Sequence, residues 1–286
     1  MEKETFIGLT SKYANEAGSM SGLLNLTDQV AVVTGGAGSL GFLVANRLSE
    51  AGAAVVLTDF DEDAGAQAVE ALNELGRENI IFFKADVKSS KEMDAVMTFA
   101  VEQYGGLDIC VNSAACWSYY PTLELTDEEW RYTIDTVLTG TFNTCRSAAK
   151  MMQQLGNGGK IVPIGSAAST NAEPPLGILN HYAAAKAGVM GFARSFAREV
   201  KPYGINVNMV LPGAMNTIGA NMLNVRGAEN EETRAKMAHI NMPMSETPDD
   251  VARVIFMLCT KVADFMYGAS IPVDGGAHIN ISGNSH

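Results

Sequence analysis

Short runs of apolar, mostly β-branched residues alternate along this chain with longer stretches of helix-favouring residues. The apolar runs cover residues 30–34, 54–58, 80–84, 107–112, 160–164, 205–211 and 269–273. Parallel strands that are buried on both faces have continuous apolar sequences, and their alternation with helices is typical of βαβ units. The pattern predicts an α/β fold, a single Rossmann-like, doubly wound domain with a seven-stranded parallel sheet. Its ligand crevice should lie at the carboxyl edge of the strands.

Two segments do not fit this alternation. Residues 1–26 are predicted to be an N-terminal extension that packs on the body or on a neighbouring subunit, with residues 27–286 forming the domain. Phe6, Ile7, Leu9 and Tyr13 are too apolar for a freely solvated tail. The second segment, about 214–247, has weak strand character. We expect it to be a functional lid that ends at a helix start near Thr247, because structureless connections of this length are uncommon in compact domains.

Charge and cysteine content narrow the classes of partner. The chain has 20 Lys and Arg against 32 Asp and Glu, a formal net charge of -12. Such a surface repels phosphate backbones and anionic lipids, so we expect neither a nucleic-acid nor a membrane partner. The four cysteines lack zinc-ligand spacing, which favours free thiols in a reducing compartment and no metal site. The N-terminus lacks a secretory signal, so we expect a cytoplasmic protein.

A glycine-rich turn follows the first predicted strand directly and precedes a helical stretch. It covers residues 34–41, and its candidate phosphate-binding residues are Gly35, Ser39, Leu40 and Gly41. Glycines allow a sharp turn and bring backbone N–H groups and a positive helix end close to a pyrophosphate. A glycine cluster alone is a weak signal, since many tight turns contain one. Its position between strand and helix favours a nucleotide site over a packing turn.

Asp59 ends the second predicted strand, 24 residues after Gly35. An acidic side chain there accepts hydrogen bonds from the adenosine ribose hydroxyls and repels a 2′-phosphate, which favours NAD over NADP. The turn itself contains no Arg or Lys that would neutralise such a phosphate. The alternative is that Asp59 merely caps the following helix.

Tyr182 and Lys186 are the candidate catalytic pair. Their four-residue spacing places both side chains on one helix face, where the ammonium would favour tyrosinate and lower the pKa of the phenol. A phenol of ordinary pKa, about 10, is a poor acid or base near neutral pH. The spacing alone is more often a surface pair, but here a strand ending in Gly165-Ser166 precedes Tyr182 by sixteen residues.

Taken in chain order, these motifs resemble the short-chain dehydrogenase/reductase family from about Leu26 to Gly276. The matching segments are Thr34 to Gly41, Asp86-Val87, 111–114, Ser166, Tyr182 with Lys186, Pro212-Gly213 with Thr217, and 273–276. The resemblance implies an NAD-dependent oxidoreductase acting on CH–OH groups. It also implies a homo-oligomer, either dimer or tetramer, for which Ala183, Ala187 and Gly191 offer a small-residue helix face.

The same resemblance assigns roles to individual residues. Tyr182 would be the acid/base, Ser166 would hold the substrate oxygen, and Lys186 would bind the nicotinamide ribose. Asp86 and Val87 would line the adenine, Asn112 the cofactor backbone, and Thr217, after Pro212-Gly213, the carboxamide. One departure concerns the family's fourth catalytic residue, an asparagine that aligns with Val137. Thr136, Thr139 or backbone carbonyls would have to hold the water that valine cannot bind.

The predicted pocket walls suggest the substrate class. Residues 116–121 are aromatic and the lid is rich in methionine, which favours a flat or irregular apolar ligand, unless the methionines only seal the lid to the body. Within the family, the extension and this pocket resemble bacterial hydroxysteroid dehydrogenases, including the 20β type. A sugar or polyol dehydrogenase is the alternative enzyme, and a catalytically silent dinucleotide sensor the alternative without chemistry. For His181, a structural hydrogen bond is favoured over substrate contact.

Overall fold

The computed structural model describes residues 7, 10–12, 18–170, 178–215, 217 and 247–279. The strands are β1 Val30–Thr34, β2 Ala54–Asp59, β3 Ile80–Lys84, β4 Ile109–Asn112, β5 Gly159–Pro163, β6 Ile205–Val207, β7 Met209–Pro212 and β8 Ser270–Val273. The α-helices are α1 Met20–Leu24, α2 Ser39–Glu50, α3 Glu62–Glu74, α4 Ser90–Tyr104, α5 Asp127–Ile134, α6 Gly140–Leu155, α7 Asn180–Val200 and α8 Pro248–Cys259. A π-helical turn, Asp135–Thr139, joins α5 to α6.

The strands form a parallel sheet in the order β3-β2-β1-β4-β5-β6. This confirms the Rossmann-like α/β fold, but the prediction of a seven-stranded sheet is wrong. The apolar run 205–211 forms two strands, β6 and β7. Strand β7 pairs with β8 and is joined to the six-stranded sheet by a single parallel bridge between Val210 and Ile164, just after β5. The Asn208 side chain donates to Met266 O (2.8 Å) and accepts from Ala269 N–H (3.0 Å), so it binds the chain entering β8.

The sheet has an apolar core on each face. Along β1, Ala31 and Val33 belong to one buried cluster while Val30 and Val32 belong to the other, as expected when successive side chains point to opposite faces. The first cluster includes buried residues of α2 and α8, and the second includes residues of α4 and α6. Both cores lie below the carboxyl ends of the strands and hold those ends in place.

Helices α2 and α8 pack closely against each other, although about 200 residues separate them in the chain. Val44 and Leu48 of α2 share a buried cluster with Val251 and Ile255 of α8. A bidentate ion pair also joins the two helices: Arg47 Nε and Nη2 donate to the two carboxylate oxygens of Asp249, at 2.9 and 2.8 Å. The predicted helix start near Thr247 is confirmed by a capping box formed with Asp250.

Most of the predicted extension contacts and most of the lid lie outside the described residues. Of the four apolar extension residues, Ile7 is described and is half exposed, whereas Phe6, Leu9 and Tyr13 are not described. Of the lid, only 214, 215, 217 and 247 are described. Within the described part of the chain, no helix has the length and apolar character needed to cross a membrane.

Candidate active site

A cavity of about 790 Å³ opens at the carboxyl edge of the sheet. It is lined by all but one of the residues predicted for the site, namely Gly35, Ser39, Leu40, Gly41, Asp59, Asp86, Val87, Ser166, Tyr182, Lys186, Pro212, Gly213 and Thr217. A second cavity, of about 800 Å³, lies between α1, α2 and α8 and contains none of them. The chemistry-bearing side chains therefore converge on the first cavity.

The glycine turn leaves no room for side chains at two of its positions. Gly35 has a φ of +64°, and a Cβ there would lie 2.7 Å from Ala114 Cα. A Cβ on Gly41 would collide with the backbone carbonyl of Gly35. Helix α2 begins at Ser39 on the cavity wall, and the first N–H groups of a helix lack partners within it. The residues present therefore fit an anionic pyrophosphate at this turn.

Asp59 sits at the end of β2 on the same wall. Its Oδ2 accepts from Ala37 N–H at 3.2 Å, which connects it to the glycine turn. The capping alternative is wrong, because the N-cap of α3 is Asp61, whose side chain accepts from Ala64 N–H. Burial raises the pKa of Asp59, while backbone hydrogen bonds oppose the shift.

Asn112 is the predicted site residue that does not line the cavity. It is buried below the cavity, where its Nδ2 lies within hydrogen-bonding distance of Thr34 Oγ1 (3.1 Å) and Thr144 Oγ1 (3.3 Å). Its Oδ1 is 2.7 Å from Thr141 Oγ1. The amide thus ties β1, β4 and α6 together beneath the site.

Ser166, Tyr182 and Lys186 come together at the inner end of the cavity. Ser166 follows β5 and lines the cavity together with Tyr182, which lies in the first turn of α7. Lys186, one turn later, is almost fully buried, and its Nζ donates to Ile164 O at 2.7 Å. This Nζ lies 5.6 Å from the centre of the Tyr182 ring. The predicted grouping of these three side chains is thus present.

The electrostatics of this pair in the unliganded protein differ from the expectation. Burial raises the pKa of Tyr182 to about 12, although the hydrogen bond to Ser166 opposes the shift. Burial also lowers the pKa of Lys186 to about 8. Desolvation is the largest influence on Tyr182, so its pKa in the unliganded protein is shifted in the direction opposite to the one predicted.

The lowered pKa of Lys186 predicts a pH-dependent stability. A lysine with a pKa of about 8 when folded and 10.5 when unfolded binds fewer protons in the folded state between these values. The unfolding free energy of the wild type, measured against Lys186→Met, should therefore rise between pH 8 and 10.5, by about 3 kcal/mol at most. Denaturant unfolding of the unliganded proteins at several pH values measures this difference.

The control for this titration is Val189→Ala, which changes a buried, non-titrating residue of the same helix. Its difference from the wild type should stay constant over the same pH range. A constant difference for Lys186→Met would contradict the lowered pKa.

Val137 occupies the middle of the π-helical turn and is fully buried. It packs with Ala185 and Val189 of α7, so its side chain contributes to the core rather than to the cavity. Two threonines were predicted as substitutes for the asparagine that is absent at Val137. Of these, Thr136 lines the cavity, whereas Thr139 is not among the lining residues.

The sequence favoured a structural hydrogen bond for His181 but did not identify its partner. His181 Nε2 lies 3.0 Å from Ser118 Oγ, and both residues are fully buried. The interpretation of His181 as a structural residue is thereby confirmed. The sequence contains one indication that Ser118 and His181 lie near each other: Ser118 follows Trp117 and His181 precedes Tyr182, and both aromatic residues belong to the predicted pocket.

The cysteines are free thiols, with Cys110, Cys145 and Cys259 buried and Cys116 partly exposed on the cavity wall. Among the described residues, no group of three or more His, Cys, Asp or Glu side chains has metal-binding geometry.

Comparison with known proteins gives consistent matches over nearly the whole chain. A family model described as Enoyl-(Acyl carrier protein) reductase matches residues 35–278. A 3-oxoacyl-[acyl-carrier-protein] reductase of Vibrio cholerae is 32% identical, over 90% of this chain and 100% of the relative. An L-rhamnose 1-dehydrogenase (NAD(P)(+)) of Azotobacter vinelandii is 30% identical, over 90% and 99%. The crystal structure of a levodione reductase, 27% identical, covers 90% of this chain and 100% of its own with a TM-score of 0.80.

Proposed function

Since this chain belongs to the short-chain dehydrogenase/reductase family of oxidoreductases, we propose that it interconverts a secondary alcohol and a ketone with NAD(H). The observation that carries the proposal is the convergence of Ser166, Tyr182 and Lys186 on a cavity whose other wall is a glycine turn fit for a pyrophosphate. When bound, the nicotinamide supplies or accepts the hydride.

The chain's own residues would handle the substrate oxygen and its proton. The hydroxyls of Ser166 and Tyr182, which line the same cavity, hold the carbonyl oxygen, and Tyr182 Oη donates its proton during reduction. A protonated Tyr182, which the raised pKa favours at neutral pH, is the form that reduction requires. Lys186 binds the ribose. Thr136 also lines the cavity, and we assign to it the water that returns a proton from solvent to Tyr182.

The cofactor would lie along the wall from β1 to β7. We assign the pyrophosphate to Gly35, Ser39, Leu40 and Gly41, the adenosine ribose to Asp59, and the adenine to Asp86 and Val87. Pro212, Gly213 and Thr217 would hold the carboxamide end, while Asn112 supports the floor from below. Two acidic residues, Asp59 and Asp61, line the wall where a 2′-phosphate would lie, which favours NAD over NADP.

This assignment predicts a change in cofactor preference. Wild type should use NADH far better than NADPH, and Asp59→Ala should narrow the gap because it removes the charge that repels the 2′-phosphate. Steady-state kcat/KM for both cofactors measures the ratio. Asp63→Ala removes an exposed carboxylate from the first turn of α3 and should leave the ratio unchanged. Equal use of NADPH by the wild type would contradict the role of Asp59.

The substrate we propose is an apolar ring compound, with a hydroxysteroid as the leading candidate. Support comes from the aromatic wall, where the rings of Trp117 and Tyr182 meet edge to face with centroids 5.9 Å apart. A sugar is the second candidate, favoured by the L-rhamnose dehydrogenase relative. A panel of steroid, cyclic and sugar substrates, followed by NADH absorbance, separates the two. Turnover of none of them would favour a silent dinucleotide sensor.

We also propose that the protein is a homo-oligomer, either dimer or tetramer. The small-residue face of α7 supports this proposal, because Ala187 and Gly191 are exposed and a Cβ on Gly191 would meet no atom within 4 Å. A partner helix could therefore approach closely at this face.

A further inference from the structure

The loop that follows β4 is joined to the start of α7 by three hydrogen bonds. Tyr120 N–H donates to Ile178 O at 3.2 Å, and Asn180 Nδ2 donates to Thr122 Oγ1 at 2.6 Å. Between them lies the fully buried pair of Ser118 and His181. The loop and the first turn of α7 therefore hold each other in one arrangement beside the site.

Trp117 is the loop residue that this arrangement places on the cavity wall. Its indole ring meets the Tyr182 ring at 63°, with centroids 5.9 Å apart. A large, flat apolar surface thus lies directly against the proposed acid/base.

We propose that Trp117 determines substrate specificity, as a rigid wall against which an apolar ring carrying the reacting carbon packs, and that the Ser118–His181 hydrogen bond positions it. This inference rests on the proposed function and names the residue that selects its substrate class. The sequence order supports it: Ser118 follows Trp117 and His181 precedes Tyr182, so one buried hydrogen bond sets the distance between the two rings.

Loss of the Ser118–His181 hydrogen bond should destabilise the arrangement of the loop and α7. His181 Nδ1 is buried and has no hydrogen-bond partner among the described residues. Removing the Ser118 hydroxyl would leave the second ring nitrogen unpaired as well, and buried polar groups without partners are strongly disfavoured. The loop would then relax away from α7 and take the indole with it.

The first test measures the indole directly and needs no substrate. The chain has two tryptophans, so Trp130→Phe leaves Trp117 as the single tryptophan, whose emission can be excited selectively over that of the tyrosines. In that background, acrylamide quenching of Trp117 should increase severalfold in Ser118→Ala and in His181→Leu. His181→Gln should restore low quenching, because its amide can reach Ser118. Ser147→Ala is the matched control: it removes another buried serine hydrogen bond, to Asp94, away from the site.

The second test measures selectivity with the intact enzyme. The ratio of kcat/KM for a cyclic apolar ketone to that for a short linear ketone should fall about tenfold in Trp117→Leu. It should fall in the same direction in Ser118→Ala, mainly through a higher KM for the cyclic ketone. Ser147→Ala should keep the wild-type ratio.

The two tests separate this inference from the proposed function. Unchanged quenching in Ser118→Ala and His181→Leu would overturn the positioning role, and increased quenching with an unchanged ratio would overturn the specificity role. Turnover of no ketone by the wild type would overturn the proposed function, while the quenching comparison would still decide whether Ser118 and His181 position Trp117.

Discussion

Replacing Tyr182 with phenylalanine should lower kcat by about 10²–10⁴-fold, because the variant keeps the ring but loses the transferable proton. NADH affinity should remain nearly unchanged, since the backbone of the glycine turn and the side chain of Asp59 are untouched. The edge-to-face contact with Trp117 should also persist, because it involves only the ring. Steady-state kinetics and fluorescence titration with NADH measure the two quantities.

Tyr203→Phe is the control, since it removes a hydroxyl from an exposed tyrosine outside the cavity. It should keep wild-type turnover. If Tyr182→Phe retained more than about a tenth of the wild-type activity, Tyr182 would not be the acid/base.

Replacing Gly41 with alanine should weaken NADH binding by roughly tenfold to a hundredfold, the range expected for overpacking a tight site. The new methyl group would collide with the backbone carbonyl of Gly35, and a backbone atom cannot move aside as a flexible side chain can. The glycine turn must therefore open, which displaces the N–H groups assigned to the pyrophosphate. Calorimetric titration with NADH measures the loss.

Gly106→Ala serves as the comparison, because a Cβ there would approach no atom closer than 3.7 Å. It should bind NADH as the wild type does. Unchanged affinity in Gly41→Ala would mean that the turn does not hold the pyrophosphate.

The sequence predicted most of the sheet because buried parallel strands leave a strong local pattern. The runs at 30–34 and 80–84 coincide with β1 and β3. The run 205–211 was predicted as one strand, but its first half, β6, pairs with β5, whereas its second half, β7, pairs with β8. Which strand a residue pairs with depends on contacts distant in sequence, here between Asn208 and the chain around Met266 and Ala269.

The site was predictable where spacing reflects geometry, as for Tyr182 and Lys186 one helical turn apart. Two features were not predictable from residue type. The pKa of Tyr182 depends on burial, which the motif does not show, and the motif alone indicated a shift in the opposite direction. The hydrogen bond between Ser118 and His181 joins residues 63 positions apart that belong to no recognisable pattern.

The packing of α2 against α8 has a consequence for biosynthesis. The helix that begins at the phosphate-binding turn is covered on its apolar side by Val251 and Ile255, which leave the ribosome about 200 residues later than the helix itself. Long-range contacts of this kind also slow folding, because a long loop must close before they form. Until residues 248–259 have been synthesised, the nascent chain holds the glycine turn without its supporting helix contact. High-affinity cofactor binding should therefore begin only after residues 248–259 have been synthesised, when the Arg47–Asp249 ion pair can form.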